Sequence, residues 1–206
     1  MTRLLFLLAS AGLAIGQVPH QQHPPHSADE YKHVLDHSTR DEWQKPHESV
    51  TALKLRPDEA VADIGSGTGY FSKRFAKHAA KVYAVDVDAK LLAGIAKDAP
   101  PNLTTILAAP DDPKLPAQSV DTIFFCNVLH HIDNRPAYYE KLTKALKPGG
   151  RIVVMEFHHR TLPVGPPPSM KIKEEDLVKE LDQAGFKLDT RHDFLPHQYY
   201  LEFRRK

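Results

Sequence analysis

The chain of 206 residues has one cysteine, Cys126, so no intrachain disulfide can brace it. It lacks a surplus of either charge, with 27 Lys and Arg against 26 Asp and Glu. No basic field argues for a nucleic-acid partner, and no acidic run argues for a disordered tail. No internal repeat is visible. The chain also lacks an apolar run of the roughly 20 residues that a membrane-spanning helix needs; the N-terminal run LLFLLASAGLAI covers only residues 4–15. With 41% hydrophobic residues the length suffices for one well-buried domain, and two would be cramped.

The apolar run follows Arg3 and ends in Ala14-Ile15-Gly16, which puts small residues at −3 and −1 of a cleavage point before Gln17. This layout predicts a secretory signal peptide over residues 1–16 and an exported, periplasmic protein; an uncleaved anchor is the alternative. A lone cysteine suits an exported chain that does without disulfides. Residues 17–30, QVPHQQHPPHSADE, have no apolar face and read as a disordered linker. His20, His23, His26, His33 and His37 follow no structural zinc spacing, so no metal is expected.

Residues 31–206 form the folded domain in this reading. Apolar runs at 61–64, 81–87, 104–108, 120–126 and 151–156 have the pattern of strands buried on both faces. Helical patterns lie between them at about 69–79, 88–97 and 134–146, the last stopped by Pro148-Gly149-Gly150, with a further helix at about 173–184. Alternating strands and helices predict an α/β, doubly wound, mostly parallel sheet. Only Leu195 and Pro196 separate the last two β-like runs, 186–194 and 197–205, so these should form an antiparallel hairpin. That makes seven strands in all.

The segment 61-VADIGSGTGYFSKRFAKH-78 places three glycines, Gly65, Gly67 and Gly69, between a strand and a helix. Ligands of open α/β sheets sit at such a strand exit, and glycine lets a ligand approach the backbone. A dinucleotide fingerprint needs its third glycine at position 70, which is Tyr70, and no phosphate-loop Gly-Lys-Ser/Thr ending is present. Asp63, just upstream, suits a ligand with a cationic amino group. Asp86, at the end of the next strand, can accept from both hydroxyls of a ribose. A nucleoside with an ammonium group and no pyrophosphate is implied, and S-adenosylmethionine meets these conditions.

The ordered set VADIGSGTGYF, AVDVD, APDDPKLPAQSVDTIFFCNVLHHI, LKPGGRIVVMEF, the helix ending DQAGF and the final hairpin closely resembles the class I S-adenosylmethionine-dependent methyltransferases over about residues 43–205. The lead-in RDEWQKP and the segments DDPKLP and LPHQYYLEF are similar to an exported bacterial subgroup. The resemblance implies a Rossmann-like class I methyltransferase fold. It implies that Asp63, Gly65, Ser66, Gly67 and Gly69 face the methionine part, Asp86 the ribose and Val87 the adenine. Asp111 matches the family's acidic residue near the adenine amino group; Asp112 stands where the family usually has a small residue. Asn127 matches the position that passes the methionine group and opens toward the acceptor. From the residues alone, the glycines could serve a tight turn, Asp86 and Asn127 could cap helices, and Asp111 and Asp112 could be turn residues.

Methyl transfer from a sulfonium needs an aimed acceptor, and a hydroxyl or carbon acceptor profits from a base. His131 is the expected catalytic histidine, with His130, His158, His159, His197 and Tyr199 as further candidates near the cofactor. Trp43 and Pro46, within 31–49, belong to an expected lid, and loop 157–172 is expected to shape the acceptor pocket. Cys126 is expected to pack rather than react. The expected partner is a small-molecule, lipid or envelope acceptor. A non-catalytic nucleoside-binding protein and a nicotinamide-linked oxidoreductase are the alternatives.

Overall fold

A computed structural model describes Leu35, His37 and residues 39–206. The expected signal peptide (1–16) and linker (17–30), with His20, His23, His26 and His33, lie outside the described residues. Two short helices open the described chain, α1 (Arg40–Gln44) and α2 (Pro46–Ala52). The α/β part follows as β1 (Ala60–Ile64), α3 (Ser72–Phe75), β2 (Lys81–Asp86), α4 (Ala89–Ala96), β3 (Leu103–Leu107), β4 (Val120–Cys126), α5 (Arg135–Ala145) and β5 (Leu146–Phe157). The chain closes with α6 (Glu174–Gln183), β6 (Phe186–His192) and β7 (Gln198–Arg205).

The seven strands lie in the order β3-β2-β1-β4-β5-β7-β6. β1 to β5 run parallel, and β7 pairs antiparallel with both β5 and β6. The order reverses between β1 and β4, which opens a crevice at the strands' C-terminal ends. The register brings Ile64 level with Val85 and with Phe125, so the residues that follow these strands meet at one place.

Alternation along the strands feeds two cores. Ile123, Phe125, Ile152 and Val154 face α5 and α6 through Tyr138, Tyr139, Leu142, Leu177 and Leu181. Phe124, Val153, Met155 and Tyr200 face the other way, against Phe71, Phe75, Leu92, Ile95, Val50 and Leu53. Phe124 makes edge contacts with Phe71 and Phe75 at 4.9 and 5.0 Å between centroids.

Local structure differs from the sequence pattern in four places. The helix expected at 69–79 is regular only over Ser72–Phe75, because Arg74, Lys77 and His78 bond three residues back and tighten the ends into turns. Helix α5 stops at Ala145, before Pro148, since Leu146 already pairs with Val120; Pro148, Gly149 and Gly150 belong to the strand. The hairpin connection spans 193–197 rather than two residues. Leu195 is buried there, Phe194 packs on Tyr200 at 5.9 Å, and the Phe194 carbonyl accepts from Lys45 Nζ at 3.0 Å. Finally, α1 and α2 form where a lid without assigned helices was expected.

The end of the sheet opposite the crevice is held by Arg151. Its guanidinium is buried and donates to Thr122 Oγ1 (3.0 Å), Glu202 Oε2 (3.0 Å) and the Leu53 carbonyl (2.7 Å). This joins β4, β5, β7 and the end of α2. Removing the guanidinium leaves buried Glu202 with His192 alone and buried Glu59 with Arg56 alone, so Arg151→Ala should cost about 3 kcal/mol. Urea unfolding monitored by circular dichroism measures the loss.

Candidate active site

The turn after β1 is fixed by its own amides. Gly65 and Ser66 both donate to the Val85 carbonyl, at 2.8 and 3.0 Å, and Gly69 donates to the Ser66 carbonyl at 2.9 Å. Gly67 donates to Asp86 Oδ2 at 2.8 Å, and Asp86 Oδ1 accepts from the Asp88 amide at 2.9 Å. These amides are engaged within the protein and are not offered to a pyrophosphate. Asp86 thus shapes the turn, while the helix cap itself is Asp88, which accepts from Lys90 and Leu91. Gly65 has φ of +67°, and a Cβ there would stand 2.2 Å from Val128 Cγ2. Ser66 Oγ is buried and has no hydrogen-bond partner among the described residues. An unpaired buried hydroxyl in the middle of this turn is a group awaiting a ligand.

Asp63 is buried at the base of the turn. Burial pushes its carboxyl up to about 7, against the opposing pull of the Ser72 hydroxyl, which donates to Oδ2 at 2.5 Å, and of the Arg40 charge. Arg40 arrives from α1. Its guanidinium lies 3.8 Å from the centre of the Tyr70 ring, and Arg74 covers the same ring at 4.1 Å. Arg40 also donates to Gln44 Oε1 and, at 2.7 Å, to the Leu35 carbonyl. The Tyr70 hydroxyl donates to Asp41. Leu35 Cδ1 lies 2.9 Å from where a Cβ on Gly67 would be. Leu35 and the helix 40–44 therefore lie beside the glycine turn, joined to it through Tyr70.

On the adenosine side, Val87 and Leu107 are the large apolar side chains left exposed, at 58% and 51%. Leu107 is paired with Asp86 across β2 and β3, so Asp86 sits beside an open apolar shelf. Asp111 and Asp112 lie in a tight turn in which Ala109 and Asp112 exchange backbone bonds. Lys141 Nζ reaches the Asp111 carbonyl at 2.6 Å, and Asp112 Oδ1 accepts from the Lys114 amide at 2.8 Å. The Asp112 side chain serves this turn, and the Asp111 side chain is exposed beside Lys141.

Past β4, Asn127 takes a left-handed conformation (φ +59°), which asparagine tolerates. Its Oδ1 accepts from Gln198 Nε2 at 2.8 Å; Gln198 Oε1 in turn accepts from buried Gln44 at 3.1 Å. Gln44 also donates to Cys126 Sγ, and burial pushes that thiol up to about 12, so Cys126 is a packed group. Beyond Val128 the chain makes a helical turn, Leu129–His131. His130 is buried, with Nδ1 2.9 Å from Glu156 Oε2, and Glu156 Oε1 accepts from the Leu129 amide at 2.9 Å. A carboxylate only accepts, so Nδ1 is the donor of this bond. His131 is exposed and its ring lies 4.1 Å from that of His130. His130, a further candidate from the sequence, is therefore a buried histidine with a carboxylate partner, and His131, the expected catalytic residue, lies exposed beside it.

The remaining candidates line the outer wall. Trp43 packs at 5.6 Å on Phe157 and at 6.4 Å on His197. Pro46 is buried as the first residue of α2. His158 meets Tyr199 edge-on at 6.0 Å between centroids; its burial, with Arg160 nearby, lowers its pKa. The Tyr199 hydroxyl donates to the Ile172 carbonyl, and burial raises its pKa. His159 is exposed. Arg40, Gln44, Tyr70, Glu156 and Gln198 were not singled out from the sequence. Glu156 had a legible signal, a lone acid at the end of the apolar run RIVVME.

S-adenosylmethionine fits this donor set: a carboxylate for its ammonium at Asp63, the unpaired Ser66 hydroxyl, Asp86 for the ribose and the Val87 shelf for the adenine. Residues 62–154 match a family described as a methyltransferase domain. Demethylmenaquinone methyltransferase of Tropheryma whipplei (strain Twist) is 34% identical over 110 residues, 52% of this chain and 45% of that protein. The ubiquinone/menaquinone biosynthesis C-methyltransferase UbiE of Bordetella avium (strain 197N) is 31% identical over 124 residues, 57% of this chain and 48% of that protein. The chain spans about half the length of these curated relatives. A SAM dependent methyltransferase from Aquifex aeolicus shares the fold, with a TM-score of 0.81 at 20% identity over 88% of this chain and 100% of that one.

Two outcomes are expected. Gly65→Ala should destabilise the fold by at least ~2 kcal/mol; adding Val128→Ala should relieve the clash and leave roughly 1–2 kcal/mol of backbone strain, read from urea midpoints. Asp63 ionises near 3.8 when unfolded and near 7 when folded. Between these values the folded protein keeps a proton that the unfolded chain has released, so stability should fall as pH rises from about 4 to 7, by up to ~4 kcal/mol. Asp63→Asn should flatten that slope in melts across the same pH range.

Proposed function

We propose that this chain, a member of the class I S-adenosylmethionine-dependent methyltransferase family, transfers a methyl group to a small-molecule acceptor, a hydroxylated quinol-type ring. The observation that carries the cofactor half is a glycine turn whose amides are internally engaged, flanked by Asp63 and Asp86. When bound, the cofactor supplies an electrophilic methyl whose C–S bond breaks with its electron pair left on sulfur. Asp63 neutralises the ligand's ammonium, and Asp86 holds the ribose. The lid of residues 35–44 excludes water.

The acceptor half rests on His130. Carbon methylation of a hydroxylated ring requires loss of the phenolic proton, which raises electron density on the ring carbon. His130 Nε2 takes that proton, and Glu156 holds the imidazole through Nδ1 and stabilises the imidazolium; the ring carbon bonds the methyl as the C–S bond breaks, and the hydrogen on that carbon then passes to the ring oxygen to restore the aromatic ring. The relatives named as demethylmenaquinone and ubiquinone/menaquinone C-methyltransferases support a ring acceptor. The N-terminal segment 1–16 supports a reaction outside the cytosol; N-terminal sequencing of the fractionated protein should start at Gln17.

Methyl-labelled S-adenosylmethionine incubated with short-chain demethylmenaquinol should give a ring-methylated product by mass spectrometry. His130→Gln should slow the transfer by about 10²–10⁴-fold while leaving S-adenosylhomocysteine affinity unchanged. Tight cofactor binding with no label in any hydroxylated ring would reduce the protein to a nucleoside binder.

A further inference from the structure

A cavity of about 440 Å³ opens beside His130, bounded by the start of α5, loop 158–173 and α6. His130 is two residues along the chain from Val128, the side chain packed on Gly65, so the segment that lines this cavity also borders the glycine turn. The walls carry Arg135, His159, Lys171, Lys173 and Lys179 against two carboxylates, Asp176 and Glu180. Glu180 is already committed, with both oxygens on Arg135 at 2.7 Å. Lys171 is buried; its ammonium donates to the Arg160 carbonyl at 2.8 Å and lies 5.5 Å from the Phe157 ring centre. Lys171, Lys173 and Lys179 have no ion-pair partner among the described residues. One carboxylate is left to balance three ammonium groups.

We infer that this cavity is the acceptor subsite and that the ring it receives carries an anionic substituent, a carboxylate or a phosphate, held by Lys171 with Lys173 and Lys179 while the hydroxyl meets His130. This rests on the methyl-transfer reading and names the acceptor's charge. A buried ammonium beside the Arg160 charge is a standing cost that an incoming anion removes. Burial and the Arg160 charge hold the Lys171 ammonium below its usual pKa. A neutral ring can still reach His130 but makes no use of these lysines, so a quinol-type ring that bears an anion should bind more tightly than one without.

The test uses the full chain saturated with S-adenosylhomocysteine and three probes by calorimetry: 4-hydroxybenzoate, inorganic phosphate and the neutral 4-hydroxybenzyl alcohol. At least one anion should bind ten-fold or more tightly than the alcohol. That preference should vanish in Lys171→Met and fall in Lys173→Met/Lys179→Met, whose exposed side chains leave the fold intact. Lys97→Met, on the far side of α4, should change nothing. Equal affinity for the alcohol, or a preference indifferent to these lysines, overturns the inference. S-adenosylhomocysteine binding in the same samples separates the two levels: its loss in the wild type would strike the methyltransferase reading itself.

Discussion

The carbonyl of Val85 accepts from two successive amides, Gly65 and Ser66, and the next residue, Asp86, accepts from a third, Gly67. This fastening of one strand's exit to its neighbour's last residues is the constraint on which the site depends. It curls the turn, and the curl demands the left-handed backbone that glycine supplies. It leaves Ser66 Oγ inside without a partner and keeps Asp86 beside the open Val87 and Leu107 shelf. A chain that spends its amides this way has chosen against phosphate and in favour of a ligand read by carboxylates and hydroxyls.

Charge is divided around that turn. The cofactor side is acidic, with Asp63 buried and Asp86 half-buried, and in the absence of a ligand the nearest cation is the lid's own Arg40. The other side is cationic, with one histidine oriented by one carboxylate between them. The network of Gln44, Gln198 and Asn127 crosses the boundary in neutral hydrogen bonds, so it ties lid, hairpin and strand four together without adding to either field. The Arg151 network at the sheet's opposite end is remote from this chemistry and serves cohesion.

Most of the architecture was legible because fully buried strands leave unbroken apolar runs, and VADI, VDTIFFC and RIVVM stand out from their surroundings. The glycine turn and its two acids were legible because backbone strain and ligand charge both restrict residue type there. What escaped was set by tertiary contact. Nothing local distinguishes His130 from His131; only Glu156, on a distant strand, decides which is buried. Asp111 and Asp112 occupy the expected positions, but their side chains answer to Lys141 and to a turn that no short-range pattern specifies. Helix α1 was illegible for the same reason: its residues have no apolar stripe, and its place comes from Arg40 on Tyr70 and Gln44 under β7.

That first helix has five residues, far fewer than an isolated helix needs to persist in water. It is ended by Lys45, a non-glycine residue at φ +43°, before α2 begins. Lifted off the Tyr70 ring it would have neither the length nor the cap to stay wound. Any motion that takes Arg40 off the Tyr70 ring should therefore unwind this helix and not carry it away as a rigid body.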